Sequence, residues 1–356
     1  MKYLLLTPGM FASDGGIARI LRLYLMALCE LSNKGDAVRF LSLNDRFVDS
    51  SDLRRYSDDS LVEWEACSGR KLRFICSALR MGKASDRIIC GHVAQLPVAW
   101  LVSKLKPGLE YFLVAHGIEV WRPFTFIERR ALMGARCVFC VSDFTRRRLL
   151  ERCALAPEKV AVLHNALDPH LDPVSAAAAM NGPPVILSVS RLSVADSYKG
   201  IGHLIEAMPA VRHAVPDARL RIVGRGDGLP GLQASARRLR LEGAVEFTGY
   251  RSDGELRGDF EGCRLFALPS EKEGFGLVYL EAMAHGRPSL GARSGGVPEV
   301  ITEETGVLVE YGDVPGIAAA IVAALRREWC VESLLERARS FSFPIFKERL
   351  ASLLRA

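Results

Sequence analysis

Short runs of consecutive apolar residues alternate along this chain with longer stretches in which apolar positions recur every three or four residues. Runs at residues 3–7, 38–43, 87–90, 111–114, 137–141 and 160–163 predict buried strands, and the periodic stretches 17–31 and 143–153 predict amphipathic helices between them. Such alternation predicts parallel sheets covered on both faces, in the Rossmann manner. The rhythm breaks at Asp168-Pro169-His170-Leu171-Asp172-Pro173, before an alanine-rich piece at 175–180 and Asn181-Gly182-Pro183-Pro184. A second strand series follows at 185–190, 220–223, 245–247, 265–268, 288–291 and 306–309, with helices at about 315–325 and 343–354. The predicted layout is a Rossmann-like domain over 1–170, a linker over 171–184, a second Rossmann-like domain over 185–342 and a last helix over 343–356. No internal repeat of fixed period and no low-complexity segment interrupts it.

The length of 356 residues suits two such domains, and 49% hydrophobic with 25% charged residues describes an ordinary globular chain. No apolar run approaches the roughly 18 residues of a membrane span. The opening MKYLLLTPG is read as the first buried strand rather than a secretory signal, because Pro8-Gly9 ends its apolar run short of the roughly 7–15 residues such a signal needs. Nine cysteines are scattered without a paired framework, which suggests reduced thiols and a cytoplasmic protein. Cys137 and Cys140 form a C-x-x-C, but Val138-Phe139 between them continue an apolar strand and no second pair lies nearby, so core packing is preferred to zinc.

The net charge of +6 is confined to the first half: residues 1–168 hold 25 Lys and Arg against 18 Asp and Glu, and the remainder holds 22 against 23. Arg54-Arg55, Arg70-Lys71, Arg129-Arg130 and Arg146-Arg147-Arg148 cluster there. They read either as solvated arginine faces or as a surface that meets anionic lipid or a phosphorylated acceptor, with peripheral contact at the inner face of the cell membrane. Nucleic acid is the poorer partner, since no aromatic and basic residues interleave and no nucleic-acid module is visible.

The most informative stretch is 270–301, SEKEGFGLVYLEAMAHGRPSLGARSGGVPEVI. Seven residues separate Glu273 from Glu281, and Gly274-Phe275-Gly276 open a helix between them. Helical side chains lean toward the N-terminus, so Glu281 is expected to point back toward the mouth that Glu273 overlooks. The unpaired N–H groups and positive dipole end at that mouth favour a phosphate. Two carboxylates for hydroxyls around a phosphate-attracting helix end suit a sugar on a diphosphate.

This segment resembles the E-x7-E motif of retaining glycosyltransferases of family 4, which have the GT-B fold. Val189-Ser190-Arg191-Leu192, Lys199-Gly200, Leu204-Ile205-Glu206-Ala207, Leu220-Arg221-Ile222-Val223-Gly224 with Gly226, and Val245-Glu246-Phe247-Thr248-Gly249-Tyr250 fall in family order. So do His116-Gly117, Val141-Ser142, and Leu163-His164-Asn165 with Asp168. The resemblance implies two Rossmann-like domains facing a cleft, with the last helix crossing back to the first domain. It implies that Arg191 and Lys199 stabilise the departing diphosphate, that Glu281 accepts from ribose hydroxyls and that Glu273 approaches sugar hydroxyls. The amides of Phe275 and Gly276 would contact the transferred hexose, with Gly274 and Leu277 in the same donor segment. Gly224 would form a tight turn near the nucleotide, and Tyr250 and Arg251 would flank its base.

In the first domain the resemblance implies that His116 contacts the transferred sugar or reacting centre, and that the Gly15-Gly16 loop approaches donor phosphates or acceptor. Glu119 would orient His116 or meet the acceptor, and Asp196, in the loop 192–198, would orient Arg191 or Lys199. The implied activity is metal-independent, cofactor-free transfer of a hexose from a UDP- or GDP-sugar to a hydroxyl acceptor, a lipid-linked or polysaccharide intermediate of bacterial surface glycan synthesis. Asp58-Asp59, the nearest imitation of a metal-binding Asp-x-Asp, reads as a polar loop. A nucleotide-sugar epimerase or a non-catalytic scaffold of the same fold is the alternative. A retaining glycosidase is disfavoured because both carboxylates belong to one short segment at a helix end. The first helix turn lacks G-x-G-x-x-G, which argues against a nicotinamide or flavin enzyme.

Overall fold

The computed structural model describes residues 1–12, 15–170 and 182–355. Most of the expected linker, and Ser13-Asp14 of the glycine loop, lie outside the described residues. The chain divides into two compact units, Met1–Pro169 with Ser342–Ala356, and His170–Phe341.

The first unit holds seven parallel strands: β1 (Lys2–Thr7), β2 (Ala37–Ser42), β3 (Leu61–Ala66), β4 (Arg87–Cys90), β5 (Glu110–Ala115), β6 (Cys137–Cys140) and β7 (Val160–Val162). Their order in the sheet is β3-β2-β1-β4-β5-β6-β7. The strands are continuous apolar runs because both faces are covered. Leu4, Leu6, Ile88 and Leu113 enter one core, and Leu5, Val38, Phe40, Ile89 and Phe112 enter the other. The helices α1 (Gly16–Glu30), α2 (Ser50–Arg55), α3 (Lys71–Lys83), α4 (Leu96–Leu105), α5 (Phe126–Gly134) and α6 (Asp143–Arg152) connect them.

The strand β3 was not among the predicted elements. It is an edge strand whose sequence LVEWEA alternates exposed and half-buried positions instead of running apolar. Trp64 stacks on Phe40 at 5.7 Å, and Glu63 and Glu65 are tied down by Arg39, Arg73 and Arg80.

The second unit holds β8 (Val185–Val189), β9 (Arg219–Val223), β10 (Val245–Gly249), β11 (Leu265–Leu268), β12 (Ser289–Ala292) and β13 (Gly306–Val309), all parallel, in the order β10-β9-β8-β11-β12-β13. Its helices are α7 (Ile201–Ala214), α8 (Leu229–Arg238), α9 (Asp253–Gly262), α10 (Leu277–Ala284), α11 (Val314–Arg326) and α12 (Val331–Arg339). The helix α12 was also unpredicted; it is short, buries little besides Leu334 and Ala338, and packs against α10.

The last helix, α13 (Phe343–Arg355), belongs to the first unit. It buries Phe343, Phe346, Leu350 and Leu354 in the core beside α1, where Phe346 meets Tyr24 edge-on at 5.0 Å. Lys347 pairs with Glu30 at 2.6 Å.

All nine cysteines are free thiols, and Cys140 is buried in β6. Among the described residues no three His, Cys, Asp or Glu side chains are grouped to hold a metal ion. Asp58 accepts from the Ser60 amide at 2.8 Å in the turn before β3. No described helix is long and apolar enough to cross a membrane.

Candidate active site

In an open parallel sheet a ligand crevice forms at the carboxyl ends of the strands where the strand order reverses. In the second unit that point lies between β8 and β11. The segments leaving those two strands are stitched together there, the Glu271 amide donating to the Tyr198 carbonyl at 2.8 Å.

After β8 the expected loop 192–198 contains a 3₁₀ turn over Val194–Lys199 instead of open chain, and Ser193 caps it. Asp196 holds Arg191 and not Lys199, accepting from the Arg191 guanidinium at 3.1 Å and from the Tyr198 hydroxyl at 2.9 Å. Burial first, and the Asp196 contact second, push the Tyr198 hydroxyl up to about 12. The Arg191 side chain remains 74% exposed.

Lys199 ends that turn and donates from Nζ to Glu273 Oε2 at 2.6 Å, with both side chains only 17% exposed. The pair joins the first motif glutamate to the upstream lysine across the switch point. Neither the helix that follows Lys199, α7, nor the one that follows Glu273, α10, receives a side-chain cap. Both therefore offer amide donors and a positive dipole end.

Gly276 stands in the left-handed region at φ 100°, and a Cβ there would lie 2.4 Å from the Tyr279 ring. That ring is fixed because Tyr279 Oη donates to the Leu268 carbonyl at 2.5 Å. The helix start is thus seated on β11, and its Gly276 cap adds no side chain there. Gly274 and Phe275 precede it, Leu277 is its first residue, and Glu281 sits in its second turn, 8% exposed.

A further support went unassigned from the sequence. Gly296 donates its amide to the Glu273 carbonyl at 2.8 Å, and Gly295, at φ 61°, lies so close that a Cβ would come 2.1 Å from that same oxygen. The run Ser294-Gly295-Gly296 is visible in the sequence, but its contact with Glu273 is tertiary.

Beside this centre the turn after β9 packs under the Arg191 segment, with the Leu192 amide donating to the Arg225 carbonyl at 2.8 Å. Gly224 donates to the Gly249 carbonyl at 2.8 Å, joining the ends of β9 and β10. Arg225 lies over the Tyr250 ring at 4.4 Å, and Tyr250 is 49% exposed. Arg251 turns away into ion pairs with Asp259 and Glu255, whereas Arg225 stays over the Tyr250 ring.

In the first unit the strand order reverses between β1 and β4. Gly16 begins α1 after the loop leaving β1, with Gly15 as a cap that contributes no side chain. His116 follows β5, its ring Nε2 donating to the Gly91 carbonyl at 2.8 Å. Glu119 orients the backbone of that loop and not the ring, accepting from the amides of His116 at 2.5 Å and Gly117 at 3.2 Å. His92, just after β4 and beside the Gly91 carbonyl, was not singled out in the sequence, although it obeys the same strand-end rule as His116.

The loop beyond His116 is closed by a clamp. Glu128 and Thr125 form a capping box, and Arg122 meets Glu128 with two bonds of 3.0 and 2.6 Å. The Arg122 guanidinium, outweighing burial, lowers Glu128 to about 2 from 4.5. The unfolded chain takes up this proton first, so the clamp stabilises fully above pH 4.5 and loses its contribution as pH falls toward 2. Glu128→Gln is expected to cost about 2–3 kcal/mol at neutral pH by denaturant unfolding, a difference that shrinks across that window.

Two family models match the chain, one described as Glycosyltransferase Family 4 over residues 23–171 and one as Glycosyl transferases group 1 over residues 183–327. The chain carries a glycosyltransferase family 4 domain followed by a glycosyl transferases group 1 domain. This chain is 36% identical to the glycogen synthase of Mycobacterium tuberculosis over 168 residues, 47% of this chain and 40% of that protein. It is 31% identical to a GDP-mannose-dependent alpha-(1-6)-phosphatidylinositol monomannoside mannosyltransferase of the same organism over 258 residues, 65% of each. The match thus spans well under half of the synthase and about two thirds of the mannosyltransferase. Anabaena HepE, solved in complex with UDP and glucose, matches with a TM-score of 0.78 at 20% identity, over 100% of this chain and 99% of that one. That likeness identifies the fold, two Rossmann-like domains of the GT-B type.

Proposed function

We propose that this chain is a retaining glycosyltransferase that moves a hexose from a UDP- or GDP-sugar to a hydroxyl acceptor without a metal ion. The observation that carries the reading is the Lys199–Glu273 pair at 2.6 Å, set where two helices begin without side-chain caps. Breaking the bond between sugar and diphosphate leaves negative charge on the departing group. Lys199 has three donors, so it can keep Glu273 and also meet a phosphate oxygen. Arg191 and the amides at the starts of α7 and α10 add positive charge at the same place, which supports a metal-free departure. Glu273, held by Lys199, would meet sugar hydroxyls, and Glu281 would meet the ribose. The UDP in HepE and the GDP-mannose in the mannosyltransferase's name support the donor class.

Calorimetry with a panel of UDP- and GDP-sugars in EDTA tests donor and metal independence together. Binding of one nucleotide sugar in the micromolar range supports the reading; binding of none removes it.

The acceptor proposed is a glycan or lipid-linked glycan, reached from a cytoplasmic protein resting on an anionic membrane. On α5, Phe126, Ile127 and Met133 are 73, 54 and 53% exposed, Arg129 and Arg130 are exposed beside them, and Arg130 lies over Phe126 at 5.2 Å. By contrast Arg146 and Arg147 pair with Asp143, and Arg148 with Glu151. Exposed apolar side chains among cations fit an anionic bilayer surface. The double change Phe126→Asp, Ile127→Asp is expected to weaken sedimentation with phosphatidylglycerol vesicles at least ~10-fold, as burying either side chain is worth about 1.5–3 kcal/mol. Unchanged sedimentation would remove this face from the proposal.

A further inference from the structure

The segment that carries Glu273 is supported from two sides, and both supports lead to one side chain outside every motif. The first support is a 3₁₀ turn, Val297–Glu299, seated in the core by the buried Val297 and Val300. Its leading end packs on the backbone after Glu273: Gly296 donates to the Glu273 carbonyl at 2.8 Å, and a Cβ on Gly296 would collide with the Gly274 carbonyl. Its trailing end offers the carbonyls of Glu299 and Val300, beyond which no helical amide follows. Arg337, in α12, takes both, Nη2 donating to Glu299 at 2.6 Å and Nε donating to Val300 at 3.0 Å.

The second support is aromatic. Phe275 is buried, and its ring meets that of Phe341 edge-on at 5.4 Å. The Arg337 guanidinium lies over the Phe341 ring at 4.9 Å. A guanidinium is flat, with donors along its edge and a face that stacks on aromatic rings. Arg337 uses edge and face at once, so one planar group ties the turn behind Glu273 to the ring behind Phe275. Arg339, two positions on, instead pairs with Glu332 of the same helix at 2.5 Å.

We propose that Arg337 is a positioning residue for glycosyl transfer, fixing the backbone of Glu273–Phe275 from both flanks. It thereby sets where the Glu273 carboxylate and the amides of Phe275 and Gly276 meet the transferred sugar. That this segment meets the sugar rests on the glycosyl-transfer reading; that Arg337 holds it does not. In that reading the nucleotide end of the donor is met by Glu281 and Tyr250, outside the two supports. Loss of Arg337 should therefore harm the sugar's chemistry and leave nucleotide binding alone.

Hydrogen exchange read by mass spectrometry on the full chain tests the support without any ligand. Arg337→Met keeps an unbranched stem and removes the donors. It is expected to speed exchange about 10-fold over both 273–279 and 294–301, as bonds to a charged group are lost, while β8 and β11 keep the parent rate. Arg337→Lys should fall in between, because an ammonium can reach a carbonyl but cannot lie flat on a ring. Phe341→Leu cuts only the aromatic route, so it should speed 273–279 and spare 294–301. Arg339→Met is the control and should change neither. Parent rates over 273–279 in all the Arg337 and Phe341 variants would overturn the proposal; should Arg337→Met fail to fold, Arg337→Lys and Phe341→Leu carry the same comparison.

Turnover tests the consequence, measured as release of nucleotide from UDP-glucose or GDP-mannose with water as the hydroxyl. In Arg337→Met kcat should fall about 10- to 100-fold, with the Kd of UDP or GDP alone unchanged and Arg337→Lys intermediate. Equal losses in kcat and in the nucleotide's affinity would overturn the proposal, since the donor site would then have come apart as a whole. If the parent protein turns over neither nucleotide sugar, the glycosyl-transfer reading is what fails, and exchange alone decides whether Arg337 holds the segment.

Discussion

Lys199→Ala is expected to reduce glycosyl transfer by roughly 10²–10³-fold, the usual effect of removing one preorganised donor to developing negative charge. The loss should fall on kcat and on the affinity for the nucleotide sugar together. Alanine deletes the charge proposed to meet the diphosphate, and it also leaves Glu273, 17% exposed, without its cation. Lys199→Arg is not expected to restore activity, because a planar fork cannot replace a compact ammonium 2.6 Å from one carboxylate oxygen. Glu273→Gln separates the two roles: it keeps Lys199 but removes the anion that holds it. If Lys199→Ala bound and turned over donor like the parent protein, the ion pair would be a structural tie and the mechanism would need another cation.

Gly295→Ala should be nearly as damaging, although the residue touches no substrate in the proposal. A side chain at φ 61° costs about 1–2 kcal/mol. The added Cβ would also sit 2.1 Å from the Glu273 carbonyl, against backbone that cannot rotate away. The segment carrying Glu273 must then shift, and a displacement of ~1 Å in a reacting group can cost about 10²-fold in rate. Thermal unfolding and steady-state kinetics on the same variant should both report the change. Gly231→Ala is the control: this glycine lies within α8 with nothing inside 4 Å of its missing Cβ, so activity and melting temperature should hold or rise slightly. Equal behaviour of the two variants would dismiss the idea that Gly295 seats Glu273.

The sequence showed most of this architecture because parallel strands buried on both faces have to be apolar throughout. That requirement made β1, β4, β5 and β11 readable, and its relaxation at the edge hid β3, where Glu63 and Glu65 interrupt the run. The helix α12 was missed because few of its residues are buried. In the site, the resemblance supplied Arg191, Lys199, Glu273 and Glu281 as separate residues. Spacing could not say that Lys199 meets Glu273 across 74 positions, or that Asp196 takes Arg191 instead. Glu119 was expected beside the His116 ring and serves its backbone amide, a distinction that depends on the loop geometry. Gly295 escaped notice because its importance comes from Glu273, which lies next to it in space.

The helix α13 bears on how the protein is made. Its Phe346 and Leu350 complete a core laid down by Tyr24, Leu28 and Phe40, but on the ribosome those partners appear with the whole of His170–Phe341 still to be synthesised between them. The amino-terminal sheet therefore waits, with the α13 side of its core open to solvent, while the intervening unit can fold as soon as its own strands have emerged. Chaperones that bind apolar surface would find their longest opportunity on the face of α1, and an arrest of translation before residue 343 would release a chain folded in its middle and unfinished at its beginning.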